Sequence, residues 1–168
     1  INENLNLFKK KNSFKFPYSI LSKIAELSNT ARTENSAYYT SQDICYSVIK
    51  DLPEAKEFKI LKILEPSIGV GNFLPLLIEK YKTVNEVIID VDDIDENSIN
   101  TLKLLLKTLE IPTNITINFI NSDFLLHNFE NKYDIVVGNP PFKKITNEKT
   151  LLASYKKGIF NTETNNIF

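Results

Sequence analysis

The chain has 168 residues, 42% hydrophobic and 24% charged, the composition of one soluble globular domain. Its 20 Lys and Arg residues against 21 Asp and Glu give a formal net charge of −1. That balance argues against a free-standing DNA-gripping module, which carries a basic excess, but allows a catalytic module that receives DNA from a neighbouring domain. Cys45 is the single cysteine, which excludes an internal disulfide and a cysteine zinc cluster. There is no apolar run of the ~18 residues that a membrane span needs, and no basic-then-apolar leader, so a cytoplasmic protein is expected. The first residue is not Met, which leads us to expect a piece of a longer chain.

Residues 1–16 are polar, include Lys9-Lys10-Lys11 and show no period, as a frayed terminal arm would. From Pro17 to Ser28, Ile20, Leu21, Ile24 and Leu27 fall at helical spacing. A second helix is predicted after Thr40 or Ser41, with a hydroxyl as N-cap. Its apolar stripe is Ile44, Cys45, Val48, Ile49 and Leu52, and Pro53 stops it. Cys45 lies on that stripe and reads as core.

Beyond residue 58, short β-branched runs alternate with helical stretches. Strands are predicted over Phe58–Leu64, Glu86–Val91, Ile115–Ile120 and Tyr133–Val137. Helices are predicted over Asn72–Tyr81 and Glu96–Leu109, the latter with Ile99, Leu102, Leu105, Leu106 and Leu109 on one face. The alternation implies βαβ units and a doubly wound parallel sheet. Ligands of such sheets bind outside the carboxyl ends of the strands, near the point where strand order reverses. The chemistry is therefore expected in the four segments that follow the strands.

The first segment is Glu65-Pro66-Ser67-Ile68-Gly69-Val70-Gly71-Asn72-Phe73. Gly69 and Gly71 permit a tight turn and close backbone approach. A dinucleotide enzyme would hold a pyrophosphate there. Glu65 disfavours phosphate, the third glycine of the dinucleotide fingerprint is absent, and a cationic ligand without phosphate fits better. In the second segment, Asp93 lies roughly 20 residues beyond the glycines, the spacing of a carboxylate that accepts ribose hydroxyls. Asp90, Asp92 and Asp95 compete for that role, and most of this acidic run is expected to be solvated. Asp123 in the third segment could accept from an adenine amino group with Phe124 against the ring, or could cap a turn.

The fourth segment, Gly138-Asn139-Pro140-Pro141-Phe142, is a turn signal with a chemical reading. An aromatic amino group is a poor nucleophile because its lone pair is delocalised. The Asn139 side-chain oxygen and the Pro140 carbonyl can accept its two hydrogens and free the lone pair. Tandem prolines fix φ and so hold that carbonyl in one direction. Phe142 can stack on a flipped base. His127, the one histidine, reads as a surface or packing residue.

Together these residues resemble the N6-adenine DNA methyltransferases of bacterial restriction–modification systems. The resemblance rests on Asn139-Pro140-Pro141-Phe142, on Glu65-Pro66-Ser67-x-Gly69-x-Gly71-Asn72-Phe73, on Ala37-Tyr38-Tyr39-Thr40 and on Asp123-Phe124-Leu125-Leu126, and spans residues 30–168. It implies an α/β, Rossmann-like class I methyltransferase fold with an N-terminal helical segment at 1–55 and the cofactor-binding and catalytic domain at 56–168. It implies S-adenosylmethionine as cofactor, held by Tyr39, Thr40, Glu65, Pro66, Ser67, Gly69, Gly71, Asn72, Phe73, Asp93, Ile94, Asp123 and Phe124. Catalysis would fall to Asn139, Pro140, Pro141 and Phe142, with double-stranded DNA and a flipped adenine as substrate and no metal. The motif order implies that further strands and a target-recognition domain follow Phe168, or that a partner covers the open sheet edge. Enzymes that methylate release-factor glutamine or ribosomal RNA guanine share the Asn-Pro-Pro-aromatic segment. The Tyr38-Tyr39-Thr40 motif and the Glu-Pro-Ser opening favour the DNA enzymes. A methyltransferase-like subunit without turnover is the remaining alternative, disfavoured by the intact Asn139 and Gly71.

Overall fold

The computed structural model describes residues 16–28, 40–127, 132–141, 143–144, 150, 153–155 and 166–167. Tyr39 and Phe142, both expected at the site, lie outside the described residues. Helix α1 spans Tyr18–Ser28 and α2 spans Gln42–Lys50. Strand β1 (Ile60–Pro66) is followed by α3 (Leu74–Tyr81), β2 (Glu86–Asp92), α4 (Glu96–Leu106), β3 (Ile115–Ile120) and β4 (Ile135–Val136). Lys143–Lys144 (β5) and Asn166–Ile167 (β6) form a separate antiparallel pair.

The main sheet has four strands in the order β3-β2-β1-β4, all parallel. Strand order therefore reverses between β1 and β4, which makes the ends of these two strands the expected ligand site. The register is long between β1 and β2, from Ile60 opposite Glu86 to Pro66 opposite Asp92. Strand β4 adds only Ile135 and Val136 to β1. It is tied further by Asp134, whose N–H donates to the Lys62 carbonyl while its carboxylate accepts from the Lys62 N–H. Leu61, Ile63, Val87, Ile89 and Val91, which share one face of the sheet, are buried, and α1 packs against α4 while α2 packs against α3. Among the described residues no helix is long and apolar enough to cross a membrane.

Ser41 caps α2, its hydroxyl accepting from the Ile44 N–H, as predicted. Helix α3 begins at Leu74, with Pro75 in its first turn, so Asn72 and Phe73 stay in the loop before it. Helix α4 starts on Asp95, whose carboxylate caps Asn97, and ends at Leu106, short of the predicted Leu109.

Two predicted helix faces are corrected. On α2, only Cys45 and Ile49 of the stripe are buried, while Ile44 and Val48 are exposed. On α1, Ile20 and Leu27 are exposed, and the buried face is Tyr18, Leu21, Ser22, Ala25 and Glu26. Polar groups turn inward there because they meet partners. The Tyr18 hydroxyl donates to the carbonyls of Val70 (2.5 Å) and Gly71 (3.0 Å), and Glu26 accepts from Asn72 at 2.7 Å. Buried polar groups are tolerated when hydrogen-bonded, so a hydropathy stripe cannot reveal this face.

Gly71 lies at φ +71, and a Cβ built there would sit 2.6 Å from Leu102 Cδ1 and 2.9 Å from the Tyr18 hydroxyl. The glycine is thus required by packing against α1 and α4 as well as by its left-handed backbone. Gly71→Ala is expected to cost about 2–4 kcal/mol of stability from overpacking and backbone strain together. A urea midpoint equal to that of the parent protein would contradict this.

Candidate functional site

The four segments after the strands converge as the strand order requires. The loop from Ser67 to Phe73 carries three left-handed residues, Ser67 at φ 56, Gly69 at φ 56 and Gly71 at φ 71. Ser67 is not glycine, and strain of this kind collects at ligand sites. The surrounding structure holds the loop in place. The Ile68 N–H donates to the Asp92 carbonyl (2.9 Å), the Gly69 N–H donates to Asp93 Oδ2 (2.8 Å), and the Tyr18 hydroxyl clamps the far side.

Two buried acceptors lack a hydrogen bond among the described residues: Glu65 Oε2 and Asn72 Oδ1. They stand at either end of the segment that carries Ser67, Gly69 and Gly71. Burial raises the Glu65 carboxyl well above the usual carboxylate range. The Glu65 charge in turn raises the Tyr18 hydroxyl and Cys45, the latter to about 12, although burial is the larger cause in both. Unpartnered acceptors call for a ligand that brings donors or positive charge. A phosphate, which needs donors from the protein, does not fit.

The acidic run at the end of β2 is not solvated, which corrects the expectation. Asp90 is buried and accepts from Asn118 (2.8 Å) and Tyr133 (2.6 Å). Asp92 is fully buried and accepts from both the N–H and the hydroxyl of Ser122, each at 3.0 Å. Asp95 caps α4. These three are committed to the framework, which leaves Asp93 as the half-buried carboxylate at the edge of the loop. Asp93 accepts from the Gly69 N–H and, at 2.9 Å, from the Asp95 N–H. Burial raises its pKa to about 6 despite those two bonds, with Asp95 and Asp92 adding to the rise. Ile94 beside it is 66% exposed, an apolar surface available to a planar ring.

Asp123 follows β3 in a turn. Its Oδ1 accepts from the Leu125 N–H (3.1 Å) and its Oδ2 from the Tyr155 hydroxyl (2.6 Å), so it caps its turn while each oxygen keeps a lone pair for a further donor. Phe124 is half-buried next to it, and His127 is exposed.

The segment after β4 lies against the first loop. A Cβ on Gly138 would meet the Pro66 carbonyl oxygen at 2.9 Å, so only glycine allows the two loops to approach this closely. Asn139 is exposed, Pro140 and Pro141 are half-buried, and the Asn139 Nδ2 donates to Thr40 Oγ1 at 3.1 Å. Thr40, Glu65, Pro66, Ser67, Gly69, Gly71, Asn72, Phe73, Asp93 and Asn139 are thus gathered at the ends of β1, β2 and β4. Asp123 and Phe124 flank them at the end of β3. Sequence reasoning missed Tyr18, Glu26 and Gly138. Tyr18, Ser22 and Glu26 recur every four residues, which places them on one helix face and was the available signal. A polar cavity of about 190 Å³, lined by Glu26, Thr40 and Asn72 among others, opens between α1 and the start of α2.

The family described as Eco57I restriction-modification methylase matches residues 5–168. The chain is 32% identical over 122 residues to the type II methyltransferase M.VspI of Vibrio sp. (strain 343), covering 70% of this chain and 28% of that protein. It is 26% identical over 113 residues to the type II methyltransferase M.AccI of Acinetobacter calcoaceticus, covering 67% of this chain and 19% of that one. The chain therefore spans under a third of the length of these relatives. Among solved structures it resembles a Listeria monocytogenes protein assigned to the class I S-adenosylmethionine-dependent methyltransferases. The TM-score there is 0.63 at 18% identity, over 91% of this chain and 47% of that one. It also resembles the methyltransferase subunit of a type I restriction–modification system from Streptococcus thermophilus, with a TM-score of 0.54 at 16% identity, over 76% of this chain and 29% of that one. The fold is that of the class I methyltransferases, and the unpartnered acceptors suit a ligand that brings ammonium and sulfonium charge and no phosphate, as S-adenosylmethionine does. With a match running almost from end to end, the chain belongs to the Eco57I restriction-modification methylase family.

Proposed function

We propose that this chain carries the cofactor site and the methyl-acceptor site of a DNA methyltransferase that modifies the N6 amino group of adenine within a restriction–modification system. The observation that supports it most is the seating of Asn139 at the end of β4, beside the strained loop after β1 and within hydrogen-bonding distance of Thr40. S-adenosylmethionine supplies a methyl group made electrophilic by its sulfonium.

The chain's own residues do the rest. Glu65 receives the cofactor's ammonium, and Asp93 accepts its ribose hydroxyls while Ile94 supports the adenine ring. Asp123 accepts the ring's amino hydrogen, with Phe124 against its face. Tyr39, Thr40, Pro66, Ser67, Gly69, Gly71, Asn72 and Phe73 shape the loops around it. Asn139 Oδ1 and the Pro140 carbonyl accept the two hydrogens of the target amino group, which turns its lone pair toward the methyl. The surplus proton leaves to water after transfer. Pro141 stiffens the turn, and Phe142 stacks on the flipped base, whose unstacking from the duplex costs about a few kcal/mol. A longer chain or a partner supplies sequence recognition and covers the edge beside β4, where Val136 is 60% exposed.

A labelled-methyl assay that offers duplex DNA, ribosomal RNA and a release factor in parallel tests this reading. Label is expected in DNA, as N6-methyladenine on digestion. Label in protein or RNA alone would overturn it.

A further inference from the structure

The target amino group offers only donors, so the side chain that meets it must present an oxygen. A primary amide has an oxygen on one side and an NH2 on the other, nearly identical in shape. Turned the wrong way, Asn139 would set donor against donor. Asn139 is exposed, so packing alone does not choose between the two orientations. The Thr40 hydroxyl oxygen, 99 positions earlier in the chain, takes the amide Nδ2 at 3.1 Å. A hydroxyl can pair with either end of the amide, so the bond tethers the side chain, and with Nδ2 on Thr40 the Oδ1 is left to face the substrate.

Thr40 is itself held. Its carbonyl accepts from Asn72 Nδ2 at 2.9 Å, and the same amide nitrogen donates to Glu26 Oε1 at 2.7 Å. Glu26 is 5% exposed on α1, and its other oxygen pairs with Lys23 at 2.9 Å. The connections therefore run Glu26–Asn72–Thr40–Asn139, from the N-terminal helix to the loop after β4. Nothing in the sheet requires a carboxylate to be buried at Glu26, and burial of one is costly unless it is bonded.

We propose that Thr40 is a positioning residue that tethers the Asn139 side chain at the end of β4, and that Glu26 and Asn72 anchor Thr40 for this purpose. The proposal rests on the catalytic reading of Asn139 given above. It makes α1 part of the apparatus for methyl transfer, beyond its packing on the sheet.

The test uses Thr40→Val, Thr40→Ser and Glu26→Ala in the full chain, with kcat, KM for DNA, cofactor Kd by calorimetry and a thermal melt for each. Thr40→Val keeps the shape and removes the hydroxyl. It is expected to lower kcat by about 10- to 100-fold, the scale of a small misplacement of a reacting group. KM for DNA and the melting point should stay near those of the parent protein, and any change in cofactor Kd should be far smaller than the loss of kcat. Thr40→Ser restores the hydroxyl and should recover most of kcat. Glu26→Ala should lower kcat in the same sense, and an unchanged kcat there would remove α1 from the chain of contacts. The proposal for Thr40 is overturned if Thr40→Val is fully active, if a weaker cofactor Kd accounts for its whole loss, or if Thr40→Ser does not rescue. Asn139→Ala measured alongside separates the two claims. A dead Asn139→Ala beside an active Thr40→Val sinks only the positioning role, whereas an active Asn139→Ala sinks the catalytic reading beneath it.

Discussion

Asn139→Ala is expected to reduce methyl transfer by at least about 10²–10³-fold, the cost of removing one preorganised polar group that acts on the reacting centre. Cofactor affinity should stay within about threefold of the parent value, because Asn139 contributes no bond to the loop after β1. The structure gives its side chain one hydrogen bond among the described residues, to Thr40, and that bond holds no other element in place. Labelled-methyl transfer to DNA and calorimetry with S-adenosylmethionine measure the two quantities. Loss of cofactor binding together with transfer would show that Asn139 supports the fold instead, and would refute its catalytic role.

That separation is possible because the two sites sit on different strands. The strand positions were legible in outline: the β-branched runs at 86–91 and 115–120 lie within a residue of the strands they predict. Strand β1 is displaced toward Pro66, because its pairing with β2 continues to Asp92. The motif positions were legible too, since a loop that turns through Gly69 and Gly71 needs left-handed residues whatever surrounds it.

What stayed hidden depends on partners distant in sequence. Nothing near Asp90 or Asp92 shows that Tyr133 or Ser122 will bond them, so a run of carboxylates reads as a solvated edge. Their burial is what singles out Asp93. Gly138 reads as part of a turn until the Pro66 carbonyl is seen 2.9 Å from where its Cβ would lie. The polar face of α1 is unreadable for the same reason. Ser22 and Glu26 look like the solvent side of a helix, yet Ser22 bonds the Ser19 carbonyl of its own helix and Glu26 turns inward to meet Asn72.

Glu65→Gln carries the second large expectation. Glu65 is buried, its Oε2 has no hydrogen-bond partner among the described residues, and burial raises its carboxyl well above the ordinary range. A glutamine is close in shape to the acid and carries no charge to bury, so the cofactor-free protein should keep at least its urea midpoint. Only the carboxyl can ionise when an ammonium arrives, and a charged hydrogen bond of this kind is worth about 1.5–3 kcal/mol. Cofactor Kd should therefore rise by about 10- to 100-fold in Glu65→Gln. An unchanged Kd would remove Glu65 from the cofactor site.

The pH dependence separates Glu65 from Asp93, whose pKa is raised from 3.8 to about 6, chiefly by burial. The folded protein holds this proton more tightly than the unfolded chain does. The stability that goes with it is thus fully present below the unfolded value of 3.8 and is lost as pH rises through about 6. Cofactor binding runs in the opposite direction, because ionised Asp93 accepts both ribose hydroxyls and protonated Asp93 cannot. Through Asp93, affinity should fall by about tenfold per unit below pH 6, as its one proton must leave for each cofactor bound. Asp93→Asn should bind weakly at every pH and lose this step. The step should survive in Glu65→Gln, on a weaker Kd. A flat profile between pH 5 and 8 in the parent protein would show that ribose binding does not pass through Asp93.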